Sequence, residues 1–102
     1  MSRSYEAAFE VEADEATCQA IADEIQAIWE VDDVTWRDGR GWFRGEGSLG
    51  CDYTEAEFVK ELGALLTPKY NGIHVNIRLT CLEDLPYEEY DITVGEEEAD
   101  ED

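Results

Sequence analysis

Two segments of the chain alternate between apolar and polar residues, and this period of two constrains the fold more than any other feature. Residues 73–81 read IHVNIRLTC, and residues 4–11 read SYEAAFEV. Because successive side chains of a strand point to opposite faces, both segments predict a β-strand with one buried face and one open face. Shorter alternating runs predict three more strands, around residues 34–36, 42–43 and 90–94.

Two further segments carry apolar residues at the period of 3.6 that is typical of amphipathic helices. In the first, Asp14 is suited to cap the N-terminus, and Glu15 favours the positive end of the helix dipole. The second opens with the capping box TEAE at residues 54–57 and ends at Thr67-Pro68. The predicted buried stripes are Cys18, Ile21, Ala22, Ile25, Ile28 and Trp29 in the first helix and Phe58, Leu62, Leu65 and Leu66 in the second.

The order of these elements, β-α-β-β-α-β with one added strand, predicts an α+β domain. The simplest packing is a ferredoxin-like split β-α-β sheet with both helices on one face. Right-handed crossovers then give the strand order five-four-one-three-two and leave the other face open. Asp38-Gly39 predicts a two-residue hairpin turn between the second and third strands. We expect one domain over residues 1–95 and an acidic C-terminal tail, EEEADED, over residues 96–102.

The net charge restricts what the chain can bind. The 102 residues include 27 acidic and 7 basic side chains, for a formal net charge of −20, and 43% of them are hydrophobic. This hydrophobic fraction supports a packed core, whereas a surface so acidic repels nucleic acid and anionic membranes and attracts basic protein surfaces. No apolar run approaches the roughly 20 residues that span a bilayer. Three cysteines without metal-ligand spacing predict reduced thiols in a cytoplasmic protein.

One stretch runs against the acidic composition, because residues 35–47, TWRDGRGWFRGEG, hold three of the seven basic residues. The segment RGWF resembles the start of the third-strand motif of RNA-recognition domains, which share the β-α-β-β-α-β order. That family needs outward aromatic residues on the first strand, where this chain places Glu6, Glu10 and Glu12. Since carboxylates there repel phosphates, we do not expect direct nucleic-acid binding.

The hairpin register suggests a different role for this stretch. The predicted pairs are Arg37 with Arg40, Thr35 with Trp42, and Val34 with Phe43. Val34, Trp36 and Phe43 then face the helices. The open face receives Arg37, Trp42, Arg44 and Arg78 together with Glu6, Glu10 and Glu12. We expect an ion-pair lattice that covers Trp42 with arginine stems, or else a partner contact at Arg37, Trp42 and Arg44. In the same strand, Gly45, Gly47 and Gly50 suggest a bulge or a close backbone approach.

No arrangement of residues points to catalysis. His74 is the only histidine, so no catalytic group with a second histidine exists, and a surface position on a strand explains it. Two of the three cysteines fall on buried faces, and only Cys51 is expected to be partly exposed. Adjacent carboxylates such as Asp32-Asp33 lack the spacing of a calcium-binding loop. We therefore predict a protein that is not an enzyme, with no catalytic residues, no metal site and no cofactor.

Two acidic clusters form the predicted partner-binding surface. The first follows the outer face of the first helix and continues beyond it. The second follows Arg78, after which the chain contains eleven acids and no basic residue. Carboxylates at helical i+4 spacing lie about 6 Å apart along the axis, close to the phosphate repeat of one nucleic-acid strand. The cluster residues are Glu15, Asp23, Glu30, Asp32 and Asp33 in the first and Glu83, Asp84, Glu88, Glu89 and Asp91 in the second.

In size, charge and element order, the chain resembles the small acidic DNA-mimic inhibitors of phages, of the anti-CRISPR and anti-restriction type. The resemblance covers the whole chain and includes no single motif. It implies a monomeric or dimeric inhibitor in the host cytoplasm that blocks the nucleic-acid-binding groove of a basic defence complex, such as a CRISPR effector or a restriction enzyme. Two alternatives stay open. One is a salt-adapted halophilic domain of unrelated function, because the chain has only two lysines. The other is an acidic adaptor that binds a basic protein through the open sheet face around Trp42.

Overall fold

The computed structural model describes residues 3–50, 54–82 and 87–95 of the chain. These residues form two helices and five strands, so the structure has the predicted α+β class. In chain order the elements are β1 Arg3–Glu12, α1 Glu15–Ile25, β2 Thr35–Arg37, β3 Arg40–Leu49, α2 Glu55–Leu66, β4 Ile73–Cys81 and β5 Tyr87–Val94. The sequence predictions that lie outside the described residues concern Cys51, Glu83, Asp84 and the acidic tail at 96–102.

The five strands form one open antiparallel sheet in the order β2-β3-β1-β4-β5. This is the predicted strand order read from the opposite edge. Because of the fifth strand, the strand order differs from that of the four-stranded ferredoxin fold. The structure therefore confirms an open five-stranded antiparallel sheet with two helices. β1 lies at the centre and pairs with β3 on one side and β4 on the other, which explains why its inward residues are so deeply buried.

Both helices cover one face of the sheet and share a single core with it. The core residues of β1 are Tyr5, Ala7, Phe9 and Val11. The ring of Phe9 stacks on that of Phe43 across the β1–β3 pair, with 5.1 Å between the ring centroids. Trp29 packs against Phe58 of α2 with 4.8 Å between centroids. These contacts bring the segment that follows α1 into the same core as α2 and the sheet.

Capping residues fix where each helix begins. The carboxylate of Asp14 accepts a hydrogen bond from the backbone N–H of Thr17 at 2.8 Å. Hydrogen bonding to the Thr17 side chain, with a further contribution from this backbone bond, lowers the pKa of Asp14. The predicted capping box of α2 is confirmed, because Glu57 N donates to the Thr54 hydroxyl at 3.2 Å and Thr54 N donates to the Glu57 carboxylate at 3.0 Å. Since these bonds satisfy N–H groups that have no partner within the helix, both starts follow from local sequence.

The helices depart from the predicted apolar stripes at two places. α1 ends at Ile25, before the end of its stripe, yet Trp29 is buried beyond it. A buried indole needs a partner for its N–H, and Trp29 Nε1 donates to the backbone oxygen of Gly45 in β3 at 2.9 Å. In α2, Val59 is buried, whereas Leu65 is only partly buried.

The hairpin between β2 and β3 has the predicted turn. Asp38 and Gly39 both adopt positive φ angles, 53° and 85°, as a type I′ turn requires. The register confirms two of the predicted pairs, Thr35 with Trp42 and Arg37 with Arg40. The third pair, Val34 with Phe43, does not form because β2 begins at Thr35. Before that point, Asp32 N donates to the oxygen of Arg44 at 2.7 Å, so the preceding segment also lies along β3.

The predicted burial of Trp36 is wrong, because its side chain is 37% exposed. Its register partner is Gly41, which places it on the helix-facing side of the sheet as predicted. However, β2 is the edge strand and has only three residues, so the helices bury no part of it fully. The indole Nε1 donates to the backbone oxygen of Ala13 at 2.9 Å, which holds the ring across the sheet edge.

The glycines of β3 allow close backbone approach and form no bulge. The β1–β3 register is unbroken along the whole pairing, so the alternative of a bulge is wrong. A Cβ at Gly45 would overlap the backbone oxygen of Glu30, and a Cβ at Gly47 would lie 2.8 Å from the indole of Trp29. A Cβ at Gly50, which follows β3, would meet nothing within 4 Å, so Gly45 and Gly47 are the two of these three glycines that packing requires.

Candidate functional site

The sheet has one face that the helices do not cover, and we call it the open face. It consists of the even-numbered residues of β1, β3 and β4 and the odd-numbered residues of β2 and β5. Among the described residues, its arginines are Arg37, Arg40, Arg44 and Arg78, and its acids are Glu6, Glu10, Glu12, Glu46, Glu89 and Asp91. Four arginines therefore face six acids, which leaves this face close to balanced in a chain of net charge −20.

Arginines of β3 pair with glutamates of β1 on the open face. One guanidinium nitrogen of Arg40 lies 2.8 Å from Glu10, and another lies 3.4 Å from Glu12. Arg44 lies 3.8 Å from Glu6. The predicted ion-pair lattice is therefore present, although Arg40, which makes two of its bonds, was not among the predicted site residues. The hairpin register contains the missing signal, because Arg40 stands directly opposite Glu12.

The lattice continues across β4 to β5. Asn76 donates to Glu89 at 3.0 Å and to Asp91 at 2.8 Å, and Arg78 lies 4.0 Å from Glu89. His74 stands between two carboxylates, with Nε2 3.2 Å from Asp91 and Nδ1 3.6 Å from a Glu12 oxygen. The acids of β5 on this face thus have cationic and amide neighbours on β4. The chain has no basic residue after Arg78, but these two acids have their neighbours across the β4–β5 pair instead.

Trp42 and Arg37 lie on the open face as predicted, but their contacts differ from the prediction. Trp42 is 41% exposed. The cation–π contact found in the described part of the chain joins Arg78 to Tyr87 at 5.1 Å, not an arginine to Trp42. Arg37 approaches only its neighbour Asp38, at 4.0 Å. Trp42 instead borders a cavity of about 420 Å³ at the β3 edge, which is also lined by Ala8, Arg44, Asp32 and Asp33.

The first predicted acidic cluster lies on a second surface, which we call the acidic flank and define as residues 14–33 and 54–70. The flank contains ten acidic residues and only two basic ones, Lys60 and Lys69. Lys69 lies 2.6 Å from Glu24, and the hydrogen bond to this carboxylate raises the pKa of Lys69. Within the described residues, no basic side chain lies within 4.0 Å of the five cluster members, Glu15, Asp23, Glu30, Asp32 and Asp33. All five are exposed.

The five residues of this cluster do not all share one helix face. Glu15 and Asp23 belong to α1, and Gln19 between them donates to Asp23 at 3.3 Å. Because α1 ends at Ile25, Glu30 lies beyond the helix, and the predicted i+4 spacing stops at Asp23. The later carboxylates are held by the edge of β3 instead, since Glu30 packs on Gly45 and the backbone of Asp32 pairs with that of Arg44.

The second predicted cluster is divided between two faces. Glu89 and Asp91 lie on the open face, while Glu88 points to the helix side and accepts a hydrogen bond from the Tyr90 hydroxyl. Burial of the phenol, reinforced by this carboxylate, raises the pKa of Tyr90 to about 12. The alternation of β5 explains the division, because neighbouring residues of a strand point to opposite faces. The structure therefore does not bring Glu88, Glu89 and Asp91 together.

The described residues were predicted to contain buried cysteines and no metal-binding cluster, and their positions are as follows. Among them, no group of three or more His, Cys, Asp or Glu side chains is arranged to hold a metal ion. Cys18 is buried, and its Sγ lies 3.5 Å from the backbone oxygens of Val11 and Ala13. Burial, with a smaller contribution from the negative charge of Asp14, raises the pKa of Cys18 and so keeps the thiol protonated. Cys81 is also buried.

Neither α1 nor α2, the two helices of the described residues, has the length and apolarity needed to cross a membrane. No protein-family model, curated protein or solved structure matches this chain. The features of the molecule that bear on its function are therefore the charge-paired open face and the acidic flank.

Proposed function

We propose that this protein is a non-enzymatic inhibitor whose acidic flank occupies the nucleic-acid-binding groove of a basic protein or complex. The observation that carries the proposal is the separation of charge in the fold. Four of the seven basic residues lie on the open face, where Arg40 and Arg44 approach glutamates of β1. The flank keeps ten acids with two lysines. The arrangement concentrates the negative field on the flank, which the open-face arginines approach only where Arg44 lines a cavity with Asp32 and Asp33.

The physical basis of inhibition is the similarity between exposed carboxylates and backbone phosphates. A groove that binds nucleic acid holds lysine and arginine side chains in position to neutralise phosphates. Exposed carboxylates such as Glu30, Asp32 and Asp33 offer the same charge and accept the same hydrogen bonds from guanidinium groups. Because the attraction is between exposed charges, it accelerates association and weakens steeply as salt is added.

The proposal also concerns the class of inhibitor to which the protein belongs and the cellular compartment in which it acts. In size, charge and element order, the chain resembles phage-encoded anti-CRISPR and anti-restriction inhibitors, so the proposed partner is a CRISPR effector, a restriction enzyme or a similar complex in the host cytoplasm. The order β2-β3-β1-β4 of the first four strands supports the finer proposal of a ferredoxin-like core to which β5 is added. The division of the second cluster by β5 favours the first cluster as the mimic, with Asp23, Glu30, Asp32 and Asp33 at its centre.

The direct experiment is a displacement assay on the partner. The tagged protein captures its partner from a lysate of the host, and the purified partner is then loaded with a fluorescent nucleic-acid duplex. Addition of the protein should release the duplex, and raising the duplex concentration should reverse the release, as competition for one groove requires. A partner that keeps its duplex bound at saturating inhibitor would show that the flank does not occupy the nucleic-acid groove.

A second candidate function uses the open face. The exposed indole of Trp42 beside a cavity of about 420 Å³ favours an adaptor that binds a basic protein through this face, since exposed aromatic residues are frequent anchors of interfaces. Trp42→Ala separates the two candidates, because Trp42 lies on the open face and its removal leaves the charges of the flank unchanged. An adaptor should lose affinity for the captured partner by at least about tenfold, whereas a flank-bound inhibitor should bind nearly as before.

A further inference from the structure

A groove of about 770 Å³ runs between α2 and the edge strand β5. Its apolar lining includes Val59 and Ala64 of α2 and Ile92 and Val94 of β5. Gly63 contributes to the width of the groove, because this helix position has no side chain. Even an added Cβ at Gly63 would lie 3.9 Å from Ile92. The groove is larger than the cavity beside Trp42 and lies on the helix side of β5, with Asp91 of the open face at its border.

The strand that borders this groove is β5, which is an edge strand of the described sheet. β5 is the last strand of the sheet, and no described strand pairs with its outer side. Its eight residues leave a long row of N–H and C=O groups, whereas the opposite edge strand, β2, has only three residues. An unpaired strand edge is a template for another extended segment, and main-chain hydrogen bonds would supply the affinity.

The charges of β5 determine which segment fits. On the open face, an added strand would place its side chains beside Glu89 and Asp91, whose side chains are 46% and 61% exposed despite their contacts with β4. These exposures leave room for an incoming cation at each carboxylate. On the other side of the added strand, side chains would enter the groove above Ile92 and Val94, which favours apolar residues.

The same charges oppose the other occupants. A second copy of this chain that paired through β5 would bring its own Glu88, Glu89 and Asp91 close to these residues, and like charges across a strand pair are destabilising. The chain's own tail EEEADED at residues 96–102 contains six acids, so it is a poor match for this edge as well. A basic extended segment is the remaining occupant with complementary charge.

We propose that β5 and the adjoining groove bind a basic, extended segment of a partner protein by strand addition. Alternate lysine or arginine residues of the segment lie against Glu89 and Asp91, and the intervening apolar residues fill the groove beside Ala64 and Ile92. This site shares α2 with the acidic flank but contains none of the first cluster's carboxylates, and it does not depend on nucleic-acid mimicry. It would give the protein a second, sequence-selective contact with a partner.

The probe for this site is a fluorescent peptide that alternates lysine and valine, KVKVKVK. Amide chemical-shift changes in β5 and α2, together with fluorescence anisotropy, report where and how tightly it binds. We expect saturable binding below about 1 mM, and at least about tenfold weaker binding when the valine nitrogens are methylated, because methylation removes main-chain donors. The isomeric peptide KKKKVVV keeps the charge and loses the alternation, so it should bind as weakly as the methylated probe.

Substitution of a residue that lines the groove provides the second test of the proposal. Ala64→Trp fills the groove from an exposed helix position, and Ala16→Trp places the same side chain on an exposed position of α1 as a matched control. The first variant should weaken KVKVKVK binding by at least about tenfold while the control leaves it unchanged. Thermal melts of both variants show that each remains folded.

Three outcomes would overturn the proposal. The first is equal affinity for all three peptides with shift changes confined to α1 and residues 30–33, which would reveal only general attraction to an acidic surface. The second is no binding at about 1 mM. The third is self-association in analytical ultracentrifugation that Ala64→Trp abolishes, which would identify a second copy as the occupant of the groove.

Discussion

Substitution of Gly45 by alanine tests whether the acidic segment after α1 is held by its close approach to β3. An alanine Cβ at this position would overlap the backbone oxygen of Glu30 and lie 2.7 Å from its carbonyl carbon and 2.9 Å from Val31 Cα. Non-bonded carbon atoms prefer separations of about 3.5–4.0 Å, so the segment would have to move by roughly 1 Å or more. It cannot move so far without disturbing the contacts that fix it.

The magnitude follows from those contacts. Movement would break the hydrogen bond from Trp29 Nε1 to the oxygen of Gly45 at 2.9 Å and the bond from Asp32 N to Arg44 at 2.7 Å. Each contributes about 1 kcal/mol net, and disturbance of the Trp29–Phe58 ring contact adds about 1 kcal/mol. Gly45→Ala should therefore lower the free energy of unfolding by roughly 2–4 kcal/mol. For a domain of this size, that corresponds to a fall in Tm on the order of 10–25 °C.

The assay is thermal unfolding by circular dichroism, with Gly50→Ala as the matched control. A Cβ at Gly50 meets nothing within 4 Å, so this variant should change stability by less than about 0.5 kcal/mol. Near-ultraviolet circular dichroism of Trp29 should also change in the Gly45 variant alone, because its ring loses a fixed partner. If the two variants melt within about 3 °C of each other, the segment at 30–33 is not positioned by β3 and this part of the account is wrong.

Three further predictions concern stability. Since the pKa of Tyr90 rises from 10.0 to about 12 on folding, its neutral phenol stabilises the folded state below pH 10, and this contribution is lost as the pH rises through 12. Tyr90→Phe should therefore show a smaller fall of the urea midpoint than the wild type over this range, and parallel curves would contradict the assignment. Arg40→Ala should lower the free energy of unfolding by about 0.5–1.5 kcal/mol, and by less in molar salt, because Arg40 pairs with two glutamates. Arg37→Ala should have no measurable effect on it, because the Arg37 side chain is 81% exposed. Gly63→Ala should raise the free energy of unfolding in chemical denaturation by roughly 0.5–1 kcal/mol, because the added Cβ fits and glycine is unfavourable in a helix interior. A lower free energy of unfolding would mean that the groove beside Gly63 is narrower than described.

Local signals predicted much of the fold. The two caps, the Asp38-Gly39 turn and the alternation of β1 and β4 each depend on residues close together in the chain, and each is confirmed. The strand order followed from the element order and the handedness of crossovers. The hairpin register then placed Trp42 and its neighbouring arginines on the open face, which is where the structure has them.

Features that depend on distant contacts were not predicted. α1 ends at Ile25, and Trp29 beyond it finds its hydrogen-bond partner in β3, which no local sequence pattern indicates. Trp36 was expected in the core because alternation gives the direction of a side chain and not the extent of the layer that covers it. The division of the second acidic cluster between two faces could have been predicted from the sequence. Glu88 and Tyr90 are two residues apart and must therefore share a face of β5.

In the proposed function, the acidic flank binds the partner while the charges of the open face pair with one another. Two variants with the same change in net charge test it. The flank variant carries Asp23→Asn, Glu30→Gln, Asp32→Asn and Asp33→Asn, and the face variant carries Glu6→Gln, Glu10→Gln, Glu12→Gln and Glu46→Gln. Both sets of side chains are exposed or half-buried, so both variants should fold.

The measurement is the affinity of each variant for the captured partner across a range of KCl concentrations. The flank variant should bind at least about tenfold more weakly than the wild type and show a shallower dependence of log affinity on log salt. The face variant should stay within about threefold of the wild type and keep its slope. Equal losses for the two variants, or an undiminished flank variant, would contradict the claim, because binding would then follow net charge or another surface.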